Sequence, residues 1–109
     1  YTNFLAVVEK NYSDEKWGRA DAAGLLLISE RQLNRKVSDL FDCSFTEFLR
    51  NHRLTKAGVR LASGEQITHV AYGVGFSTPS YFSSCFKQKF GKSPKCYQDE
   101  AIVKSSMLN

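Results

Sequence analysis

The sequence predicts an all-α fold of seven helices, arranged as two helix-turn-helix units joined by one long central helix. Two observations predict it. Apolar residues recur at helical spacing along the chain, whereas alternation of apolar and polar residues never lasts for more than a few positions. One helical pattern also appears twice.

Four helices are predicted in the first part of the chain. Residues 4–12 carry apolar side chains on one face, and residues 17–27 include a short Ala-rich apolar stretch. Ser29 is a favourable N-cap for a third helix, and Gln32, three residues later, completes a capping box. The fourth helix, over residues 45–62, is long, amphipathic and free of proline.

Three further helices are predicted between residues that typically cap or end helices: Ser63–Gly64, Gly75, Ser77, Gly91 and Ser93–Pro94. The fifth helix begins at Ile67 and the sixth has Ser77 as its N-cap. The seventh is expected to be short and to run through Tyr97.

The composition favours one globular domain. Hydrophobic residues make up 42% of the chain, enough for a core, and the charged fraction of 24% argues against disorder. The net charge of +4 permits a polyanionic partner without demonstrating one. Three cysteines without C-x-x-C spacing indicate reduced thiols, and no apolar run approaches the roughly 20 residues of a membrane span. A cytoplasmic protein is therefore predicted.

The chain begins at Tyr1 and enters helical spacing at once, so we expect it to be a fragment of a longer regulator. Its predicted parts are a first helix-turn-helix unit (residues 1–44), a linker helix (45–62), a second unit (63–101) and a tail (102–109). An N-terminal signalling or dimerisation domain would precede it.

The repeated pattern consists of a small residue, an apolar turn residue, a capping residue and two apolar positions. Its copies are Ala23, Ile28, Ser29, Leu33, Val37 and Ala71, Phe76, Ser77, Phe82, Phe86. The second copy lies 48 residues after the first at Ala71 and 49 residues after it at Phe82. Each copy has the layout of a helix-turn-helix, whose capped second helix keeps one face free. The alternative is a helical bundle of duplicated origin that binds nothing.

The second unit resembles the signature of AraC/XylS-family transcription regulators through Ile67, Ala71, Gly75–Phe76, Tyr81–Phe82, Phe86–Lys87, Phe90–Gly91, Ser93–Pro94 and Tyr97. The first unit matches more loosely, through Ser29, Leu33, Arg35, Phe45, Leu49, Arg53–Leu54, Ala57 and Leu61. The resemblance implies homeodomain-like units in a bacterial DNA-binding domain, here an expected activator that also contacts RNA polymerase and works at the nucleoid. Its two recognition helices would read successive major-groove segments about one helical turn, roughly 34 Å, apart.

Three short runs resemble a narrower group of these regulators. They are the opening Asn3-Phe-Leu, the run Leu33-Asn-Arg-Lys and the run from Tyr81 to Lys87. In that group, the domain is the C-terminal output module of a response regulator or a hybrid two-component protein.

The resemblance and the helical spacing together predict the residues that meet double-stranded DNA. The predicted base-contacting residues are Arg31, Asn34, Arg35, Pro79, Ser80, Ser83 and Ser84. The predicted phosphate-contacting residues are Ser29, Lys36, Ser77, Thr78 and Lys87, with Arg50 and Lys92 as weaker candidates. Because Arg and Asn pair bidentately with bases whereas Ser discriminates poorly, the first unit should dominate specificity. For each charged residue the alternative is an ordinary solvated helix face.

Four positions depart from the family pattern. Leu27 and Asp42 stand where the family usually has Gly, and we expect the turn at Leu27 to be reshaped because Leu disfavours positive φ. Ala22 replaces a larger apolar residue, and Ser84 replaces a frequent Arg. The first three are expected to affect the pose of the first recognition helix, whereas Ser84 is expected to weaken base discrimination by the second.

Two further residues are expected to be structural. Arg53 should pair with a carbonyl or an acidic residue near the first unit, with Asp39 and Asp42 as candidates. Trp17 is expected in the core rather than stacked on bases.

An enzyme and a protein-interaction module are the rival predictions. His52 and His69 are the only histidines, no Cys/His set has the ligand spacing of a zinc site, and Cys85 lies on an apolar helix face. We therefore predict no catalysis, no metal and no cofactor. A helical protein-interaction module derived from an AraC-like domain would need exposed apolar anchors on the recognition helices, where few are evident.

Overall fold

The computed structural model describes residues 2–108, with side chains for residues 3–104, and every regular element in that range is an α-helix. The helices are α1 (Thr2–Asn11), α2 (Arg19–Leu25), α3 (Glu30–Phe41), α4 (Phe45–Ala62), α5 (Ile67–Gly73), α6 (Pro79–Phe90) and α7 (Pro94–Leu108). The predicted all-α fold of seven helices is confirmed. None of these helices combines the length and the apolarity needed to cross a membrane.

Local signals start and end most helices as predicted. Ser29 Oγ accepts the Gln32 N–H at 3.1 Å, and Gln32 Oε1 accepts the Ser29 N–H at 3.0 Å, which is the expected capping box. The long helix has the predicted bounds, and Gly64 follows it with φ of +94°. Ser93 Oγ accepts the Cys96 N–H at the start of α7.

Two of the predicted helix ends are wrong. Thr78, not Ser77, is the N-cap of α6, because its Oγ1 accepts the Tyr81 N–H at 3.2 Å and Pro79 takes the first helical position. Helix α7 continues to Leu108 instead of ending near Tyr97. No Gly or Pro follows Pro94 to stop it, so most of the expected tail is helical; Asn109 lies outside the described residues.

Two hydrophobic cores lie along α4, which contributes to both. Phe45 and Leu49, near its start, pack with α1, α2 and α3. Leu54, Ala57 and Leu61, farther along, pack with α5, α6 and α7. The Tyr12 side chain contacts both cores. Trp17 is buried in the first core and Cys85 in the second, as predicted.

The internal repeat is visible in the main-chain hydrogen bonds of the two turns. The Ile28 N–H donates to Ala23 O at 3.1 Å, and the Phe76 N–H donates to Ala71 O at 3.0 Å. Ser29 and Thr78 then cap α3 and α6 in the same way. The extra residue of the second unit is therefore Ser77.

Positive φ occurs at equivalent positions of the two units. Leu27 has φ of +59° where the second unit has Gly75 at +101°, and Asp42 has +59° where it has Gly91 at +77°. The expected reshaping of the Leu27 turn is wrong: Leu27 adopts the glycine conformation and is 91% exposed. Because L-residues pay about 1–2 kcal/mol for this conformation, the turn is strained.

Arg53 has the predicted structural role but not the suggested acidic partners. Its guanidinium donates to the carbonyls of Tyr12, Asp14 and Trp17 in the α1–α2 loop. Neither Asp39 nor Asp42, both within the described residues, makes a hydrogen bond or an ion pair with Arg53. The nearby carboxylates that act on its charge are those of Asp14 and Glu15 in the same loop.

Candidate nucleic-acid interface

Helices α3 and α6 carry the predicted base-contacting residues on their outer faces. Each helix has 12 residues and follows the turn of its unit. The exposed members of the set are Arg31, Arg35, Ser80 and Ser84, and the half-buried members are Asn34, Pro79 and Ser83. The inward positions, Leu33 and Val37 in α3 and Phe82 and Phe86 in α6, are fully buried. The fold therefore leaves the same face of both helices open to a ligand.

Arg31 and Arg35 are two free cations of the first recognition helix. They are four residues apart, so they lie on one face, and both are exposed. Among the described residues, neither makes a hydrogen bond or an ion pair. Both guanidinium groups can therefore reach outward to base edges or phosphates.

The Asn34 side chain, unlike those of Arg31 and Arg35, is hydrogen-bonded within the domain. Its Oδ1 accepts the main-chain N–H of Phe45 at 3.0 Å, which joins α3 to the first turn of α4. A bidentate pair with adenine uses both the oxygen and the nitrogen of an Asn amide. Asn34 can make that pair only by releasing Phe45, so in the structure its amide N–H₂ is the group left for DNA.

The second unit has no equivalent of this bond. The position equivalent to Phe45 is Pro94, which has no N–H to satisfy, and the position equivalent to Asn34 is Ser83. Sequence reasoning missed the contrast, although the proline at the start of α7 was a visible signal for it.

The predicted phosphate-contacting residues surround the N-termini and the outer faces of α3 and α6. Ser29 and Thr78 are the N-caps, and their oxygens accept main-chain N–H groups. Ser77, Lys36 and Lys87 are exposed. A helix N-terminus favours an anion through its unpaired N–H groups and its dipole. These positions are therefore suited to a phosphate backbone.

The weaker phosphate candidates differ in their surroundings. Arg50 is half-buried in a cleft between the two units, which Thr46, Ser77 and Tyr81 also line. Lys92 pairs with Glu100 of α7 and is therefore engaged within the chain. Arg50 is the more available of the two.

An ion pair beside the first recognition helix was not predicted. Arg19 Nε lies 2.8 Å from Glu30 Oε1, which links α2 to the first turn of α3. The pair partly neutralises a carboxylate that would otherwise repel a phosphate near this helix N-terminus. Since the partners are 11 residues apart and on different helices, no local sequence signal identifies the pair.

Within the described part of the chain, no group of three or more His, Cys, Asp or Glu side chains could hold a metal ion. All three cysteines are free thiols.

Two helix-turn-helix units that share one central helix, each with an exposed second helix, define a tandem helix-turn-helix domain. A family model described as a helix-turn-helix domain matches residues 22–100. The chain belongs to this family, whose regulators are of the AraC/XylS type.

Similar proteins include two curated bacterial relatives. The chain is 32% identical over 94 residues to histidine kinase P4 of Formosa agariphila, covering 85% of this chain and 7% of the relative. It is 32% identical over 90 residues to the transcriptional activator CsvR of Escherichia coli, covering 82% of this chain and 33% of the relative. The chain thus spans a third or less of these two proteins.

A solved structure shares the same architecture. The C-terminal domain of AraT, a response regulator from Geobacillus stearothermophilus, superposes with a TM-score of 0.84 at 29% identity, covering 91% of this chain and 83% of that one.

Proposed function

We propose that the chain is the sequence-specific DNA-binding domain of a bacterial transcription regulator. Both units present a capped second helix with an exposed polar outer face, and this repeated geometry is the observation that carries the proposal. The outer faces of α3 and α6 expose Arg31, Arg35, Lys36, Ser80, Ser84 and Lys87, and each helix exposes a single large apolar or aromatic side chain, Leu40 or Tyr81. This composition suits a polyanion better than a protein groove.

The dimensions of the domain fit two successive major-groove segments. The described fold is elongated, measuring 48 × 26 × 22 Å. Segments on one face of the duplex recur about every 34 Å. Two recognition helices in a domain of this length can therefore read a bipartite site with halves about one turn apart.

The two units would contribute differently to recognition. Arg31 and Arg35 of α3 can donate bidentately to guanine, whereas Ser80, Ser83 and Ser84 of α6 offer single hydroxyl groups. The first unit would thus supply most of the base discrimination and the second mainly the position on the duplex.

Selection of bound duplexes from a random library, at two salt concentrations, tests this function. We expect two short enriched elements about one helical turn apart, and weaker binding at higher salt because cationic side chains release counterions from phosphates. Absence of binding, or binding without sequence preference at both salt concentrations, would favour the protein-interaction module instead.

The whole protein is proposed to be an activator in a two-component system. The names of similar proteins, a histidine kinase, a transcriptional activator and a response regulator, support this role. An N-terminal signalling or dimerisation domain would control the output, RNA polymerase would be the second partner, and the protein would act in the cytoplasm at the nucleoid. Phosphorylation-dependent transcription from a promoter carrying the selected site, reconstituted with the full-length protein, tests these assignments.

A further inference from the structure

We propose that Arg53 is a positioning residue that fixes the angle between the two helix-turn-helix units and so sets the half-site spacing that the domain accepts. The inference rests on the proposed DNA-binding function. It concerns a side chain that faces the junction between the units.

On the side of the first unit, the Arg53 guanidinium donates hydrogen bonds to three main-chain carbonyls. Its Nε donates to Tyr12 O at 2.8 Å, and its Nη2 donates to Asp14 O at 2.9 Å and to Trp17 O at 3.3 Å. These residues form the loop between α1 and α2. One side chain of α4 is therefore hydrogen-bonded to the α1–α2 loop of the first unit at three points.

On the side of the second unit, the same guanidinium lies against the turn between α5 and α6. A Cβ built on Gly75 would lie 2.7 Å from Arg53 Nε and 2.5 Å from Tyr12 O, both closer than real Cβ contacts. Gly75 is buried and has φ of +101°. The absence of a side chain there lets the turn of the second unit touch the loop of the first.

The charge of Arg53 strengthens this junction. Burial lowers the pKa of its guanidinium, whereas the nearby Asp14 and Glu15 act in the opposite direction. The group stays cationic at physiological pH, because arginine is in effect always protonated in proteins. Bonds from a charged donor are about twice as strong as neutral ones, and a planar fork serves several acceptors at once.

The angle between the units matters because DNA is helical. One additional base pair moves the second half-site by about 3.4 Å and rotates it by about 35°. Helix α4 connects the two cores, and the Arg53 junction lies beside it where loop and turn meet. Loosening the junction lets the units adopt a range of angles, so duplexes with altered spacing should be bound more nearly equally.

Arg60 provides a matched control on the same helix. It lies seven residues after Arg53, is also half-buried, and contacts a glycine of the second unit, Gly73. Its ion pair with Glu65, Nη2 to Oε1 at 2.7 Å, stays between α4 and the loop that follows it. Arg60→Lys therefore changes an arginine of the same helix whose side-chain hydrogen bonds all go to Glu65.

The test compares Arg53→Lys, Arg53→Gln and Arg60→Lys with the wild-type chain. The probes are the duplex selected by the wild-type domain and two versions with one base pair added or removed between its halves. We expect both Arg53 variants to lose about tenfold in spacing discrimination, the equivalent of about 1.4 kcal/mol, whereas Arg60→Lys keeps the wild-type ratio. An unchanged ratio in folded Arg53 variants would overturn the proposal.

A second measurement does not depend on DNA. Residual dipolar couplings report the relative orientation of the two units in solution. In Arg53→Lys we expect this orientation to change or to be averaged over a range of angles, while the couplings within each unit still fit the wild-type structure of that unit. If the wild-type domain binds no DNA, the proposed function fails, but this measurement still tests the junction. If the Arg53 variants do not fold, Gly75→Ala displaces the same guanidinium from the opposite side. Unfolding of Gly75→Ala as well would overturn the proposal, since the junction would then serve folding rather than the angle.

Discussion

Asn34 and Phe45 are joined by a hydrogen bond in which Asn34 Oδ1 accepts the main-chain N–H of Phe45 at 3.0 Å. The first N–H groups of a helix have no partner within it. Phe45 begins α4 and its side chain is fully buried. The recognition helix of the first unit therefore also anchors the start of the central helix.

This bond predicts that Asn34→Ala destabilises the domain. We expect the free energy of unfolding to fall by about 1–2 kcal/mol, because the Phe45 N–H loses its acceptor. Chemical denaturation measures the change. Asn34→Asp is the control, since a carboxylate still accepts the bond. It should keep the stability but weaken DNA binding by placing a negative charge near the phosphates. Equal stability of Asn34→Ala and wild type would show that the bond contributes nothing.

Arg35 is predicted to read a base directly. Arg35→Ala should weaken binding to the selected duplex by about 1–3 kcal/mol and relax the preference at one position. Binding titrations against duplexes changed at single positions measure both effects. Lys10→Ala, which removes an exposed charge from α1, is the charge-matched control. If Arg35→Ala leaves both affinity and preference unchanged, the proposed placement of α3 on DNA is wrong.

Leu27 is predicted to reduce stability through its backbone conformation. Its φ is +59°, it is 91% exposed, and glycine adopts this conformation without the steric cost of a Cβ. We expect Leu27→Gly to raise the free energy of unfolding by about 1 kcal/mol. Thermal and denaturant unfolding measure the gain. Leu27→Ala keeps the Cβ and should give none, and an equal gain in both variants would assign the effect to the exposed leucine side chain instead.

His52 is predicted to make stability depend on pH. Burial lowers the pKa of its imidazole, although the hydrogen bond to Glu9, 3.0 Å from its Nε2, raises it. The unfolded chain, with a pKa near the usual 6.5, therefore binds the proton more readily than the folded one. By linkage, stability should be lost as the pH falls through 6.5 towards the folded-state pKa.

His52→Gln should flatten this part of the stability curve. Urea denaturation at several pH values between 8 and 5 measures the free energy of unfolding of both proteins. The difference in this free energy above pH 7, where His52 is neutral in both the folded and the unfolded chain, is the reference from which the effect at lower pH is taken. The pKa of Glu9 is lowered, chiefly by its hydrogen bond to Lys56. The stability that the Glu9 carboxylate contributes is therefore lost only as the pH falls below the usual pKa of 4.5, outside the tested window. Parallel curves for His52→Gln and wild type down to pH 5 would contradict the prediction.

The sequence-based predictions that the structure confirms depend on interactions between residues close together in the chain. The Ser29–Gln32 capping box, the bounds of α4 and the glycine stops each depend on residues within about one helical turn. The cap of α6 was misplaced by one residue, although Pro79, which favours the first helical position, was a local signal for Thr78 as the N-cap. The length of α7 was underestimated, although the sequence has no Gly or Pro after Tyr97 to end the helix.

The sequence by itself determined the helices, the duplicated unit and the family, because helical periodicity, caps and motif residues are local patterns. The tertiary structure decided what the long-range side chains do. Asn34 reaches Phe45 11 residues away, and Arg53 reaches Tyr12 41 residues away. Such bonds depend on which helices pack together. Only the tertiary structure therefore showed that Asn34, a predicted base-contacting residue, also accepts a hydrogen bond from the start of α4, and that Arg53 binds carbonyls rather than a carboxylate.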